Sequence, residues 1–183
     1  MTVKEIYSIL RKCTGVTTDS RKCGPGLMFF ALKGERFDGN EFVRGALEQG
    51  CPYAVMDNPD LYDVQDPRMI LVDNVLNSLQ QVAALHRRTL GTPVIGITGT
   101  NGKTTTKELT NAVMSTTYNV LCTQGNLNNS IGVPLTVLGL KPEHDYAIVE
   151  MGASHPGDIK ELVLVSQPDY GLITNVGKAH LLG

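Results

Sequence analysis

The chain has 183 residues, 16 basic and 18 acidic side chains, a formal net charge of -2 and 42% hydrophobic residues. Enough apolar surface is present to offset chain entropy, which excludes a fibrous or disordered chain, and the near-neutral charge excludes a polyphosphate-backbone binder, so no nucleic-acid partner is expected. No apolar run approaches the roughly 18 residues that span a bilayer and no signal-peptide core opens the chain, so a cytoplasmic protein of one large or two small domains, without membrane insertion, is expected.

In the first half, Lys4 to Arg11 reads as a short helix with Ile6, Ile9 and Leu10 on one side, and Val16 to Ser20 as a strand. A second strand, Leu27 to Leu32, follows the turn signal Gly24-Pro25-Gly26. Asp38 or Asn40 can cap a helix carrying Phe42, Val43, Ala46 and Leu47, with Gly50 as its stop. Tyr53 to Met56 and Met69 to Val72 read as strands, and Asn77 opens a helix with Leu79, Val82, Ala83, Leu85 and His86 at helical spacing. A boundary is expected at Gly91-Thr92-Pro93. All seven arginines (Arg11, Arg21, Arg36, Arg44, Arg68, Arg87, Arg88) precede it, and 12 of the 19 glycines lie from Gly91 onward. The four cysteines, Cys13, Cys23, Cys51 and Cys122, have neither CxxC spacing nor clustering and read as reduced structural thiols.

The second half has the stronger pattern. Val94 to Thr98 is a short apolar strand; Gly99-Thr100-Asn101-Gly102-Lys103-Thr104 follows, then a helix from about Thr105 to Ser115. Strand, glycine-rich turn, Lys-Thr and helix make a phosphate-binding loop: glycines let N–H groups face phosphate oxygens, the helix start is partly positive, Lys103 reaches the β/γ-phosphates and Thr104 a magnesium ion. The strict pattern GxxxxGK[ST] would put its first glycine at Ile97, so the textual match is imperfect; the bland alternative is a glycine turn capping a helix. Further strands at Tyr118 to Cys122, Tyr146 to Val149 and Gly171 to Thr174, with a helix at Asp158 to Val165, give the order of a doubly wound sheet, whose ligands bind beyond the strands' carboxyl ends. One strand runs straight into Glu150, where nucleotide hydrolases carry a magnesium-directed acid. From spacing alone, His180 is either a loop histidine or a metal neighbour, and His86, His144 and His155 read as structural.

These residues resemble the Mur ligase family. TGTNGKTT (98–105) looks like the family's ATP loop and accounts for the imperfect pattern; GNLNNSIGVP (125–134), EMGASHPGD (150–158) and NVGKAH (175–180) occur in the family's order. TDSR (18–21) and FALKGERFDG (30–39) are similar to the nucleotide-sugar domain of the late-acting members, and the 128–129 and 150–153 blocks are closest to the type that joins D-alanyl-D-alanine to UDP-N-acetylmuramoyl-tripeptide.

The resemblance implies a small mixed α/β UDP-muramyl-peptide-binding domain at 1–90, followed by a parallel-sheet ATP-binding central domain at 91–183. It implies that Gly99, Thr100, Asn101, Gly102, Lys103, Thr104 and Thr105 hold ATP. Lys103, Glu150 and His180 would be catalytic, with Thr104, Glu150 and His180 serving magnesium. Asn128 and Asn129 would lie at the tripeptide, and Ser20, Arg21 and Lys33 at the uridine diphosphate sugar. The implied reaction is an ATP-dependent amide ligation in peptidoglycan precursor synthesis, through an acyl phosphate of the tripeptide. The alternatives are another amide ligase of the superfamily, of the third-residue-adding or folylpolyglutamate type, and a non-catalytic nucleotide-binding module. Family members continue past the His180 motif into a carboxyl-terminal domain, so the chain is expected to be an amino-terminal fragment with an incomplete central domain, inactive alone, and a monomer is expected.

Overall fold

The computed structural model describes residues 1–34 and 37–177. The chain divides into two compact units, Met1–Val82 and Ala83 onward, and the division falls inside a long helix.

The first unit is a four-stranded, wholly parallel sheet. Helix α1 (Val3–Leu10) opens it, started by a capping box in which the Thr2 hydroxyl accepts the Glu5 N–H while the Glu5 carboxylate accepts the Thr2 N–H. Strands β1 (Gly15–Thr17), β2 (Leu27–Phe30), β3 (Tyr53–Met56) and β4 (Met69–Leu71) pair in chain order, in registers such as Val16 with Met28 and Phe29 with Ala54. Phe29, Ala54 and Met56 pack with Val43, Ala46 and Leu47 of α2 (Val43–Glu48), and burial of each of the larger side chains, Phe29, Met56, Val43 and Leu47, contributes about 1.5–3 kcal/mol. Buried Asn40 fastens the strand ends: its amide donates to Asp38 and Asp57 and its carbonyl accepts the N–H groups of Asp57 and Asn58.

Several boundaries differ from the sequence reading, each for a local reason. The first strand stops at Thr17 because Asp19 caps a 3-10 turn at Ser20–Lys22. Asp38 does cap, but what it starts is a 3-10 turn (Gly39–Phe42) that passes into α2, leaving Phe42 exposed. Helix α3 (Val75–Leu90) begins before Asn77, since the Asn74 side chain already accepts the Asn77 N–H and Asp57 accepts that of Val75.

The second unit is also wholly parallel. Strands β5 (Val94–Thr98), β6 (Val120–Cys122), β7 (Tyr146–Glu150) and β8 (Tyr170–Ile173) lie in the order β6-β7-β5-β8. Helices α4 (Lys103–Met114), α5 (Gly132–Leu138) and α6 (Asp158–Ser166) intervene; α5 has no counterpart in the sequence reading, and α4 starts two residues before Thr105. Strand alternation sorts the faces. Val94, Ala147 and Val149 join Val133 and Val137 of α5 and Leu162 and Val165 of α6. Ile97, Cys122 and Ile148 meet Met114 of α4 on the other face. Glu150, two residues after Ile148, therefore falls on the α4 side. Because β5 connects outward to β6 past β7, whereas β7 connects to β8 on the opposite flank, the topological switch lies at the carboxyl end of β5.

Two polar contacts anchor the carboxyl-terminal half of α3. Arg87, buried, donates to the Ser166 and Gln167 carbonyls at the end of α6 and to Asp169, which also accepts the Val94 N–H. His86 meets the Leu140 carbonyl through Nε2 at 2.9 Å, and burial pulls its pKa below the ordinary 6.5 despite that hydrogen bond. A histidine held neutral in the native state gains a proton on unfolding, so its stabilising contribution is present above about pH 6.5 and is lost as pH falls below it. Asp19 and Asp66, pulled down to about 2 chiefly by side-chain hydrogen bonds from Arg21 and Arg68, titrate in a lower window. Thermal denaturation of the protein between about pH 7 and 5 is expected to show falling stability, and His86→Gln, which cannot titrate, to flatten that slope; an unchanged slope in the variant rules out His86 as its source.

Candidate functional site

The carboxyl ends of β5, β7 and β8 are adjacent, Ile97 pairing with Glu150 and Thr98 with Ile173. From the first strand end springs the glycine loop. Gly99 has φ 137° and Gly102 φ 78°, both in the region that side chains disfavour. At Gly99 a Cβ would also strike the Thr174 hydroxyl and lie 3.0 Å from the Asn175 main chain, whereas at Gly102 it would meet nothing within 4 Å. Gly102 is the N-cap of α4 and supplies no side-chain cap, so the first-turn N–H groups of this 12-residue helix, including those of Lys103, Thr104 and Thr105, form a site suited to an anion. The Lys103 ammonium lies over the loop, donating to the carbonyls of Gly99 at 2.6 Å and Thr100 at 3.2 Å.

The loop is braced by the segment after β8. Asn175 accepts the Thr100 N–H through its main-chain carbonyl and the Asn101 N–H through its side chain. Thr174 donates to the Asn101 carbonyl at 2.6 Å, and the Gly177 N–H to the Thr100 hydroxyl at 2.9 Å. The sequence reading singles out 175–180 for its position after a strand and takes Thr174 only as that strand's last residue; β8 ends at Ile173, and the Thr174 hydroxyl, the signal at the end of an apolar strand, belongs to the brace. Lys178 and His180 lie outside the described residues.

Beside the loop sits Glu150, 1% exposed. Its Oε1 accepts from the Thr104 hydroxyl at 3.3 Å and the Asn128 amide at 2.8 Å, while Oε2 is buried with no hydrogen-bond partner among the described residues. The Glu150 N–H is held by the Thr123 hydroxyl at 3.0 Å. Asn128 is placed by the Gly152 N–H, which donates to its carbonyl, and a Cβ at Gly152 would sit 3.2 Å from its amide. The structure thus joins Lys103, Thr104, Asn128 and Glu150 in one constellation. Asn129 has a structural task, its side-chain oxygen accepting the Ile131 and Gly132 N–H groups at the start of α5. Lys103, Asn128, Asn129, Ser154, His155 and Asp158 line a cleft of about 420 Å³. Hydrogen bonds from the Ser154 and His155 N–H groups hold the Asp158 carboxyl below its usual range.

The remaining candidates belong to the first unit, where they follow the carboxyl ends of β1 and β2. Ser20 opens the 3-10 turn; Arg21, 87% exposed at its side chain, forks onto Asp19 with two 2.9 Å bonds. Lys33 pairs with Asp57 at 3.2 Å and Asp38 at 4.0 Å. Burial raises the Asp57 pKa, but bonds from Asn40, Val75 and Lys33 outweigh it and leave the group lowered. All four cysteines are free thiols, and no helix among the described residues is long and apolar enough to cross a membrane.

These features define a class: a doubly wound parallel α/β unit with a glycine-rich loop entering a helix beside a buried carboxylate. The family model for the Mur ligase middle domain matches residues 97–182, and that for the Mur ligase family, catalytic domain, matches residues 12–88. The chain belongs to the Mur ligase family. It is 46% identical over 167 residues to the UDP-N-acetylmuramoyl-tripeptide--D-alanyl-D-alanine ligase of Bacillus subtilis (strain 168), covering 91% of this chain and 36% of that protein. To the ligase of the same name from Escherichia coli (strain K12) it is 44% identical, covering 92% of this chain and 36% of that protein. The chain therefore spans little more than a third of the length of these curated relatives. Among solved structures, MurF from Acinetobacter baumannii superposes with a TM-score of 0.87 at 35% identity, over 98% of this chain and 42% of that one. MurF ligase from Thermotoga maritima in complex with ADP gives 0.84 at 34%, over 94% and 39%.

The strain that Gly99 avoids can be measured. Gly99→Ala is expected to lower the stability of the second unit by about 2 kcal/mol or more in chemical denaturation, since the new Cβ meets both an unfavourable φ and the Thr174–Asn175 segment. Gly171→Ala, whose Cβ meets nothing within 4 Å, should be near neutral; equal losses would refute the close-approach argument.

Proposed function

We propose that this chain supplies the nucleotide-sugar-binding and ATP-binding parts of an ATP-dependent amide ligase that joins D-alanyl-D-alanine to UDP-N-acetylmuramoyl-tripeptide in peptidoglycan precursor synthesis, a cytoplasmic reaction. In this reading residues 1–90 receive the UDP-sugar and residues 91–183 the ATP. The single observation that carries it is Glu150, a buried carboxylate with one open oxygen, set beside a phosphate loop and its Lys-Thr pair. The names of the Bacillus subtilis and Escherichia coli relatives and the ADP bound to the Thermotoga maritima structure support it.

The residues present fit a magnesium ion. Burying a carboxylate oxygen without a partner is costly, and a cation removes that cost. Such a cation would take the Glu150 carboxylate and the Thr104 hydroxyl, with phosphate oxygens and water completing its shell. Bound there, magnesium would neutralise charge on the transferring phosphoryl group.

The chain's own residues do the rest. The first-turn N–H groups of α4 face the phosphates, and Lys103 exchanges the Gly99 and Thr100 carbonyls for phosphate oxygens. Asn128 and Thr104 fix the Glu150 carboxylate so that Oε2 is the oxygen offered. The tripeptide carboxylate, a poor electrophile, takes the terminal phosphoryl group of ATP as an acyl phosphate; the dipeptide amine then attacks its carbonyl carbon and releases phosphate. In the first unit, Arg21 and Lys33 would exchange their carboxylate partners for the diphosphate, with Ser20 beside them at the strand ends.

Two measurements test the reading. Lys103→Ala in the intact protein is expected to weaken magnesium–ATP binding roughly 10- to 100-fold with little change in melting temperature; unchanged affinity sinks the nucleotide assignment. Phosphate release by the intact protein, given ATP and UDP-N-acetylmuramoyl-tripeptide, should require D-alanyl-D-alanine, and release indifferent to the dipeptide refutes the substrate assignment.

A further inference from the structure

One charged side chain close to the site has no part in the reaction just described. Lys107 lies on α4, one turn beyond Lys103 and Thr104, and is 1% exposed. A buried ammonium is costly unless its protons are taken up, and an apolar side chain of similar length would pack the same space without that cost. Lys107 donates to the Thr123 main-chain carbonyl at 2.8 Å and pairs with Glu108 Oε1 at 2.8 Å; the Glu108 side chain is itself 62% exposed. The bond that reaches inward is therefore the one to Thr123.

Thr123 follows the last residue of β6 and is buried. Its N–H donates to the Ile148 carbonyl, and its hydroxyl accepts the Glu150 N–H at 3.0 Å. A continuous path thus runs from Lys107 through Thr123 to the Glu150 main chain, and it closes on the same helix where Thr104 meets the Glu150 carboxylate. Cys122, at the end of β6, reports the shared interior: burial chiefly pushes its thiol up to about 11, with Lys107 drawing it down and Glu108 and Glu150 raising it further.

We propose that Lys107 is a positioning residue for Glu150, clamping the end of β6 to the phosphate-loop helix through Thr123 and so setting where the open carboxylate oxygen stands. The role rests on the nucleotide reading above, because it matters only if a cation is received there. Position and charge make opposite demands. A cation at Oε2 is repelled by the Lys107 ammonium, so if the lysine acted through its charge alone, its removal would tighten cation binding. If it acts by position, removal weakens it.

The test is the ratio of ADP affinities measured by calorimetry on the intact protein with magnesium and with EDTA. For Lys107→Met the ratio is expected to fall roughly tenfold, the usual cost of losing a partner behind a metal ligand, while the EDTA affinity stays within about twofold. A general loosening of the fold would lower both affinities together and leave the ratio intact. A ratio unchanged or raised in K107M overturns the proposal. Thr123→Val keeps the carbonyl that Lys107 grips but loses the hydroxyl on the Glu150 N–H; the same fall is expected, and an unchanged ratio overturns the proposal even if K107M does not fold. In the double variant the ratio should fall no further than in the worse single one, since both cut one path. Failure of the nucleotide reading looks different: the wild-type protein itself would then bind ADP equally with and without magnesium.

Discussion

The second unit is organised around a carboxylate that water does not reach. Glu150 ends a strand whose other residues are apolar, and at 1% exposure each of its oxygens must find a partner or leave a cost unmet. One oxygen is met twice, by Thr104 and Asn128; the other has no partner among the described residues. To hold that arrangement the protein enlists four separate pieces of chain: the start of α4, the end of β6, the loop before α5 and the turn after β7. Thr104 and Asn128 contact the carboxylate itself, Thr123 holds the Glu150 N–H, and the Gly152 N–H holds Asn128.

Topology brings these pieces together. In a parallel sheet every strand delivers its carboxyl end to one edge, and the order β6-β7-β5-β8 puts the loop strand between the acid strand and the bracing strand. Two-residue alternation then turns Glu150 toward α4, while Ala147 and Val149 face α5 and α6. The first unit follows the same principle with less polar machinery, its edge tied by Asn40 to Asp38, Asp57 and Asn58.

Much of this was legible in the residues. Val94 to Thr98 and Tyr146 to Val149 read as strands because buried parallel strands are short apolar runs, and the glycine loop followed by Lys103 and Thr104 marked its own helix. What was not legible has a common cause: it depends on partners distant in sequence. Helix α5 is only seven residues long and carries Gly132 and Pro134, so the spacing of Val133 and Val137 is too short a run to mark a helix; it forms because Asn129 accepts its first N–H groups and β7 offers an apolar face. The task of Asn129 as a cap, the engagement of Arg21 and Lys33 with carboxylates, and the burial of Lys107 are all tertiary facts that periodicity cannot carry. Phe42 misled for the opposite reason, its size suggesting a core position in a segment that a 3-10 turn rotates outward.

The brace on the glycine loop has a further consequence, for the order in which the chain can mature. Residues 99–102 have the flexibility to take many shapes, and what selects one is a set of bonds from Thr174, Asn175 and Gly177, more than seventy positions later. A ribosome-bound chain that has emerged only as far as β7 holds the loop sequence and the acid but no template for the loop, because closing so long a span must await β8 and the residues after it. The conformation of the glycine loop is thus set only once β8 and the residues that follow it are in place.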